Sequence, residues 1–372
     1  MRKLLYITLA LALVAAIGSY GAWTRDRPGA HYLSDLRITL AVDHGARADH
    51  GNLLAIQPEL FPTDYQSSAR LHRKLAAYLQ QARERGLVNA KTIVVLPEHI
   101  GTWLMVSGEK NELYQATTLK EAMNWLAVSN PLLFVKALAA AKGASRLDDA
   151  HLRMKAQQMA RDYQELFGGL AREFQVTLVA GSIVLPEPSV NQGSLLVGTG
   201  ALYNSALVFG SDGQPIGQPQ RQIYPSLSES GYIHGDVGAA PQVFDTPAGR
   251  LGVLIGSDSW YPENYRKLDA QQAQLVAVPA FIMGKGRWEQ PWRGDHSAAL
   301  AALAPNTSEG TAWQRLTLTS RASQSLASGG ASVFLRGQFW DLGTSGQSFL
   351  SSAGQTFADD GSRGARLLNL WL

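Results

Sequence analysis

Gly252-Val253-Leu254-Ile255-Gly256-Ser257-Asp258-Ser259-Trp260-Tyr261-Pro262-Glu263 opens on an apolar run, passes through a small-residue turn and closes on Pro-Glu. A short apolar run bounded by turn residues reads as a buried strand. A strand that stops at a sharp turn and continues into a helix is a device for delivering one residue to a site. The first residue past the apolar run is Gly256, which has no side chain.

Working outward, further apolar runs predict strands over Leu36–Val42, Lys91–Leu96, Val176–Val184, Ala201–Phe209, Leu275–Val278 and Ala331–Leu335. Between them lie helical patterns. In Ser68–Arg85, Leu71, Leu75, Tyr78, Leu79 and Ala82 fall on one face, and Gly86 supplies a stop. In Leu152–Phe174, Leu152, Ala156, Met159, Tyr163, Leu166 and Leu170 do the same, with Asp148 and Asp149 near the start. Strands alternating with helices predict an α/β domain whose sheets are covered by helices. Residues 105–147 and 283–312, rich in Gly, Pro, Ser, Asn or Trp, read as irregular insertions over one end of the sheets.

The segment around Gly256 resembles the nucleophile elbow of the carbon–nitrogen hydrolase (nitrilase) superfamily, where Ile-Cys-Tyr-Asp-x-x-Phe-Pro-Glu is typical. The likeness extends along the chain. Val179-Ala180-Gly181-Ser182-Ile183 resembles the strand entering Gly-Gly-Ser, and Tyr203-Asn204-Ser205-Ala206-Leu207-Val208-Phe209 with Asp212-Gly213 resembles a Tyr-Asn…Val-Phe…Asp-Gly hairpin. Arg321-Ala322 and Gly346-Gln347-Ser348-Phe349-Leu350 with Gly354 match later segments. Each match is short, but they cover roughly residues 35–372 in order. The resemblance implies a four-layer α-β-β-α sandwich, often paired into homodimers through its helical layer.

It also implies three catalytic positions: a Glu base, a Lys that supports developing charge, and a Cys that attacks an amide or nitrile carbon. A carboxylate can take the thiol proton, and a fixed ammonium supports the tetrahedral intermediate. Glu98, in Val-Val-Leu-Pro-Glu-His, matches the base. The lysine position falls on Gln222 and its neighbouring histidine on Tyr224. Arg221 is adjacent, but successive strand residues point to opposite faces. The cysteine position falls on Gly256, and the chain contains no cysteine. Ser257 is an alternative nucleophile that would need strong activation. Glu229 resembles a second glutamate of the family, or else is a solvated loop carboxylate. His99, beside Glu98, is expected to turn away from it. Trp103, Tyr224, Asp258 and Trp260 complete the expected pocket.

Other clusters are weaker. Asp43-His44 and Asp49-His50 carry ligand-type side chains, but a polar loop with Gly45 and Gly51 explains them more simply, and no metal or cofactor is expected. The stretch Arg287-Trp288-Glu289-Gln290-Pro291-Trp292-Arg293 reads as a carbohydrate or lipid contact or as a loop with buried indoles. Pro131–Ala141 reads as a packed helix, with a lid or a membrane-surface helix as alternatives.

Composition frames the function. The 372 residues are 45% apolar and 17% charged, as in a folded protein, and a formal charge of +3 gives little support for nucleic-acid binding. Arg2 and Lys3 precede twenty uncharged residues, Leu4–Trp23, followed by Arg25, Asp26 and Arg27. That run is long enough to cross a bilayer. Residues 1–27 are therefore expected to be a retained anchor, with residues 28–372 forming the hydrolase-like domain. Val14-Ala15-Ala16 offers a signal-peptide cleavage site as the alternative. The basic N-terminus favours an exported domain on a bacterial-type inner membrane, though Arg25 and Arg27 oppose that orientation. Cleavage would leave a periplasmic or secreted protein. The expected function is a pseudoenzyme acting in ligand binding or assembly, its ligand a small amide, acyl or nitrile-like molecule. The alternatives are an amidase or N-acyltransferase using Ser257, and a scaffold valued for its dimer surface.

Overall fold

In the computed structural model, which describes residues 2–27, 33–294, 303–304, 306–318 and 327–372, two six-stranded sheets stack face to face. The first runs in the order Ile38–His44, Ala365–Trp371, Asn52–Gln57, Thr92–Val95, Thr177–Val179, Val208–Phe209. The second runs Val243–Thr246, Gly249–Val253, Leu275–Ala280, Gly329–Phe334, Phe349–Ser352, Gln355–Ala358. Three central strands in each are mutually parallel.

Side-chain alternation builds the layers. Leu53, Ala55, Ile93, Val95, Leu251, Val253, Leu275 and Ala277 face inward between the sheets. Their neighbours Leu54, Ile56, Val94 and Leu96 meet the helices Ser68–Glu84 and Ala156–Phe174. On the far side Leu254, Val276 and Val278 meet Pro262–Ala270 and Glu309–Leu316. Strands covered on both faces need the continuous apolar runs seen in the sequence. The result is the four-layer α-β-β-α sandwich.

Two expected strands each divide. Val176–Val184 becomes Thr177–Val179 and Ile183–Pro186, and Ala201–Phe209 becomes Leu202–Ala206 and Val208–Phe209. The inner halves leave the large sheet for a three-stranded one with Gln220–Arg221. Gly181 makes the first break: its φ is +67°, and a Cβ there would lie 2.0 Å from the Pro97 carbonyl oxygen. The Leu152–Phe174 helix likewise divides into Arg146–Arg153 and Ala156–Phe174.

Residues 105–147 are not irregular. They hold the helices Asn111–Gln115, Leu119–Ser129 and Pro131–Ala140. The punctuating residues start helices here: the Thr118 side chain accepts the Glu121 N–H, and Pro131 occupies a first-turn position where its missing N–H costs nothing. Arg2–Arg25 is one helix with no buried residue and a mean hydropathy of 1.9, long and apolar enough to span a membrane. Beyond it, Arg27 reaches Glu109 at 2.8 Å, and Trp23 lies 6.2 Å from Trp125 on the inserted helices.

One buried ion pair supports the site from beneath. Lys74 Nζ donates to Asp64 at 2.9 Å, with both side chains almost fully buried. Asp64 also accepts from Ser34 and from the Phe61 N–H, fixing the turn Pro62–Tyr65. Tyr65 in turn donates to the Ile100 carbonyl, two residues beyond Glu98. Lys74→Ala, which strands the Asp64 charge, should destabilise the fold by about 3–5 kcal/mol. The paired change Lys74→Met with Asp64→Asn should cost less. Denaturant midpoints of both variants check this, and equal losses would refute it.

Candidate functional site

Glu98 follows the parallel strand Thr92–Val95 and is 4% exposed. Its Oε1 accepts from Asn204 Nδ2 at 2.8 Å and from Gln222 Nε2 at 3.4 Å. Gln222 extends the strand Gln220–Arg221, and its N–H donates to the Asn204 carbonyl. Its amide also donates to the Ile255 carbonyl at 3.3 Å and accepts from Asn204 at 3.1 Å. Gly256 begins the turn after Ile255 with φ +51°. A Cβ built on it would lie 2.8 and 2.9 Å from the two Glu98 carboxyl oxygens. The three expected positions therefore converge, and Glu98 leans into the space a side chain at 256 would use.

His99 does not turn away. Its φ of +60° breaks strand alternation, so its ring enters the same pocket. Nδ1 lies 3.1 Å from Thr102 Oγ1 and Nε2 lies 2.7 Å from Glu229 Oε1, while Phe281 packs edge-on against the ring. Glu229 is a buried pocket residue rather than a solvated one, and Ser226 donates to its other oxygen at 2.6 Å.

Burial drives the charges. It pushes the Glu98 carboxyl up to about 8; His99 and the Asn204 hydrogen bond only partly oppose it, while Glu229 and Asp258 reinforce it. Burial alone would lower His99, but the Glu229 charge and hydrogen bond, aided by Glu98, carry it upward. Burial likewise works against ionised Glu229, yet His99 and Ser226 hold it below the usual carboxylate range. These directions favour a charged His99–Glu229 pair beside a Glu98 that holds its proton well above the usual carboxylate range.

Asp258 braces the elbow instead of lining the pocket. Its carboxylate accepts the N–H groups of Ile223 at 3.0 Å and Tyr224 at 2.7 Å, tying the turn to the segment after Gln222. Burial pushes it up to about 7 against those donors. Ser257 borders the pocket, but its hydroxyl donates to the Tyr224 carbonyl and touches neither Glu98 nor His99. Tyr224 stacks on Tyr261 with ring centroids 3.8 Å apart and donates to Glu263, so its ring lies outside the pocket lining. Trp103 is also displaced: it stacks on Phe339 at 4.3 Å within the core, because the turn Thr102–Val106 folds it inward. Trp260 does line the pocket. Arg221 points away, its guanidinium 4.3 Å from the Tyr203 ring.

The pocket has a volume of about 450 Å³. Trp313, Phe281 and Glu309, which the sequence did not single out as site residues, form part of its wall together with Arg287 and Arg293 of the 287–293 stretch, Arg287 and Glu309 being paired at 3.3 Å. Asn204 was visible only as part of the Tyr-Asn motif. The indoles of Trp288 and Trp292 are turned into the aromatic cluster with Phe334 and Trp260, favouring the loop reading of 287–293. Among the described residues no metal-binding group forms; Asp43 instead accepts from Asn369 and Trp371, and His44 stacks on Phe357. Arg321-Ala322 lies outside the described residues.

The carbon–nitrogen hydrolase family profile matches residues 55–304, and the chain belongs to that family. It is 28% identical over 171 residues to a deaminated glutathione amidase of Yersinia enterocolitica, covering 43% of this chain and 53% of that one. It is 29% identical over 176 residues to a chloroplastic omega-amidase of Arabidopsis thaliana, covering 42% and 44%. The chain thus spans about half the length of these curated relatives. Among solved structures, the amidase from Nesterenkonia sp. AN1, a mutant in complex with acrylamide, superposes with a TM-score of 0.51 at 16% identity, covering 88% of this chain and 93% of that one. That likeness establishes the fold.

The charge state has a consequence for stability. Between the usual carboxylate range and about pH 8 the folded protein keeps a Glu98 proton that the unfolded chain has released, so rising pH destabilises the fold. Glu98→Gln keeps a neutral group in place and should lose less stability than the parent between about pH 5 and about pH 9. Denaturation midpoints across that range test this; parallel profiles would exclude a protonated Glu98.

Proposed function

We propose that this chain is a membrane-anchored member of the carbon–nitrogen hydrolase family that binds a small amide or acyl ligand without hydrolysing it. The observation that carries this reading is the Glu98 carboxyl lying 2.8 Å from where a Cβ on residue 256 would stand. The general-base position is turned onto a glycine and protonated, Gln222 supplies an amide where the family has an ammonium, and no thiol is available. What these groups can still do is recognise: a neutral carboxyl donates one hydrogen bond, and Gln222 offers both a donor and an acceptor. An open pocket with Trp260, Trp313 and Phe281 beside them favours a ligand-binding role over a bare scaffold. Ser257 is not favoured as a nucleophile, since its proton is directed at a backbone carbonyl.

Anchoring and export belong to the same proposal. The exposed apolar helix Arg2–Arg25 supports the anchor, and the basic pair Arg2-Lys3 supports a domain on the periplasmic side of a bacterial-type inner membrane. A periplasm-active reporter fused after Leu372 should be active; a reporter active only in the cytoplasm would reverse the orientation.

Primary amides from acetamide to hexanamide should quench tryptophan fluorescence without releasing ammonia. Gly256→Cys alone should gain no turnover, because its Cβ meets the Glu98 carboxyl and the lysine is still missing. Ammonia release by the parent chain that Glu98→Gln or Ser257→Ala abolishes would overturn the proposal.

A further inference from the structure

A second cavity of about 450 Å³ lies away from Glu98, with the Pro131–Ala140 helix along one wall. Leu133 and Lys136 enter it from that helix, and Arg153, Met154, Lys155 and Arg161 face it from the chain beyond. Four of these six side chains are basic, and among the described residues no Asp or Glu lines the cavity. Two of the cations are already paired just outside it: Arg153 with Asp149 at 2.6 Å and Lys155 with Glu109 at 2.8 Å. Lys136 and Arg161 form no salt bridge among the described residues. An uncompensated ammonium and guanidinium beside one apolar wall suit an anion that carries an apolar body.

The other face of the same helix is bare. Leu132 is 85% and Val135 66% exposed, and Val128 on the preceding helix is 47% exposed. Large apolar side chains left this exposed on successive helices suit an interaction site. Its location indicates the occupant. Tyr20, near the end of the apolar N-terminal helix, donates to the Val128 carbonyl, and Arg27 donates to the Ser129 carbonyl and to Asn130 Oδ1 at 3.2 and 3.0 Å. Pro131 is the next residue. Lys110 donates to the Asp26 carbonyl and lies 4.1 Å from the Trp23 ring centroid. The bare apolar turn and the basic cavity thus begin where the N-terminal helix meets the domain.

We infer that the Pro131–Ala140 helix lies in the membrane interface, and that the cavity beside it takes the phosphate headgroup of an anionic phospholipid, with Lys136 and Arg161 as its donors. The inference rests on reading Arg2–Arg25 as a membrane anchor. Interfacial helices bury their apolar face at the headgroup boundary while basic side chains reach the phosphates. Leu132 and Val135 supply that apolar face, and Leu133 forms the edge between acyl chain and headgroup.

The absence of cysteine makes the test direct. Leu132→Cys and Val135→Cys, each carrying an environment-sensitive fluorophore on the full chain, are reconstituted into phosphatidylcholine vesicles with or without phosphatidylglycerol. The emission should shift to the blue, and phosphatidylglycerol should be retained after detergent extraction in preference to phosphatidylcholine. Lys136→Glu with Arg161→Glu should weaken phosphatidylglycerol retention by about tenfold or more, and Lys136→Arg should preserve it. A label that stays water-exposed in every vesicle overturns the inference, as does equal retention of the two lipids or by the charge-reversed variant. Displacement of the lipid by inorganic phosphate alone would make this a soluble-anion site, and an emission shift that depends only on protein concentration would make the face a contact with a second copy; either overturns it. Carbonate washing separates the two readings. A chain that resists extraction yet keeps its label in water refutes the inference alone, whereas an extracted chain refutes the anchor and the inference with it.

Discussion

Glu98 stands at the end of a parallel strand with its carboxyl buried against the backbone of Gly256, and both the charge and the shape of the pocket follow from how that group is accommodated. Taking a carboxylate out of water costs several kcal/mol unless a cation stands beside it. The nearest cation is His99, whose Nε2 is 4.0 Å from Glu98 but 2.7 Å from Glu229. Glu229 therefore captures it. What remains for Glu98 is two neutral amide donors, and such hydrogen bonds contribute about 1 kcal/mol each in net terms. Desolvation wins and the carboxyl keeps its proton. A lysine in place of Gln222 would reverse that balance, so the amide at 222 and the protonation of Glu98 are one fact seen from two sides.

The layers were legible because both faces of the central strands are covered, leaving apolar runs that no surface loop would carry. The alternation rule also placed Arg221 correctly, out over Tyr203 and away from the pocket. The same rule failed one residue past Glu98. It assumes extended backbone, and His99 adopts a left-handed conformation that carries its ring back to the Glu98 side. Ser182 stabilises that conformation by accepting the His99 N–H at 2.8 Å, a contact between residues 83 positions apart that no local pattern encodes. Trp103, Tyr224 and Asp258 were drawn into the expected pocket by proximity in sequence to its true members. Each sits within a turn, where a step of one residue redirects the side chain. Of the inserted helices, Pro131–Ala141 is legible as a packed helix and forms over Pro131–Ala140 with Pro in its first turn, whereas Asn111–Gln115 and Leu119–Ser129 lie in a stretch whose composition reads as irregular.

Asp258 explains how the turn at Gly256 is held without a side chain at that position. Its carboxylate ties the Gly256 turn to the backbone of Ile223 and Tyr224, Ser259 donates to the Gly256 carbonyl, and Asn264 donates to the Asp258 carbonyl. None of these bonds uses a side chain at position 256. The turn is thus held by its neighbours, and the fold does not register what the delivered residue is.

The delivered residue does register in Glu98. An L-residue at φ +51° carries roughly 1–2 kcal/mol of backbone strain, which a catalytic side chain can justify and an idle one cannot. Glycine relieves that strain and also opens the volume into which the carboxyl settles. Once there, at 2.8 Å from where a Cβ would stand, the carboxyl must shift to admit any larger residue, disturbing the hydrogen bonds it accepts from Asn204 and Gln222. Gly256 and the buried position of Glu98 therefore stabilise each other. A side chain introduced at 256 alone would first displace the Glu98 carboxyl.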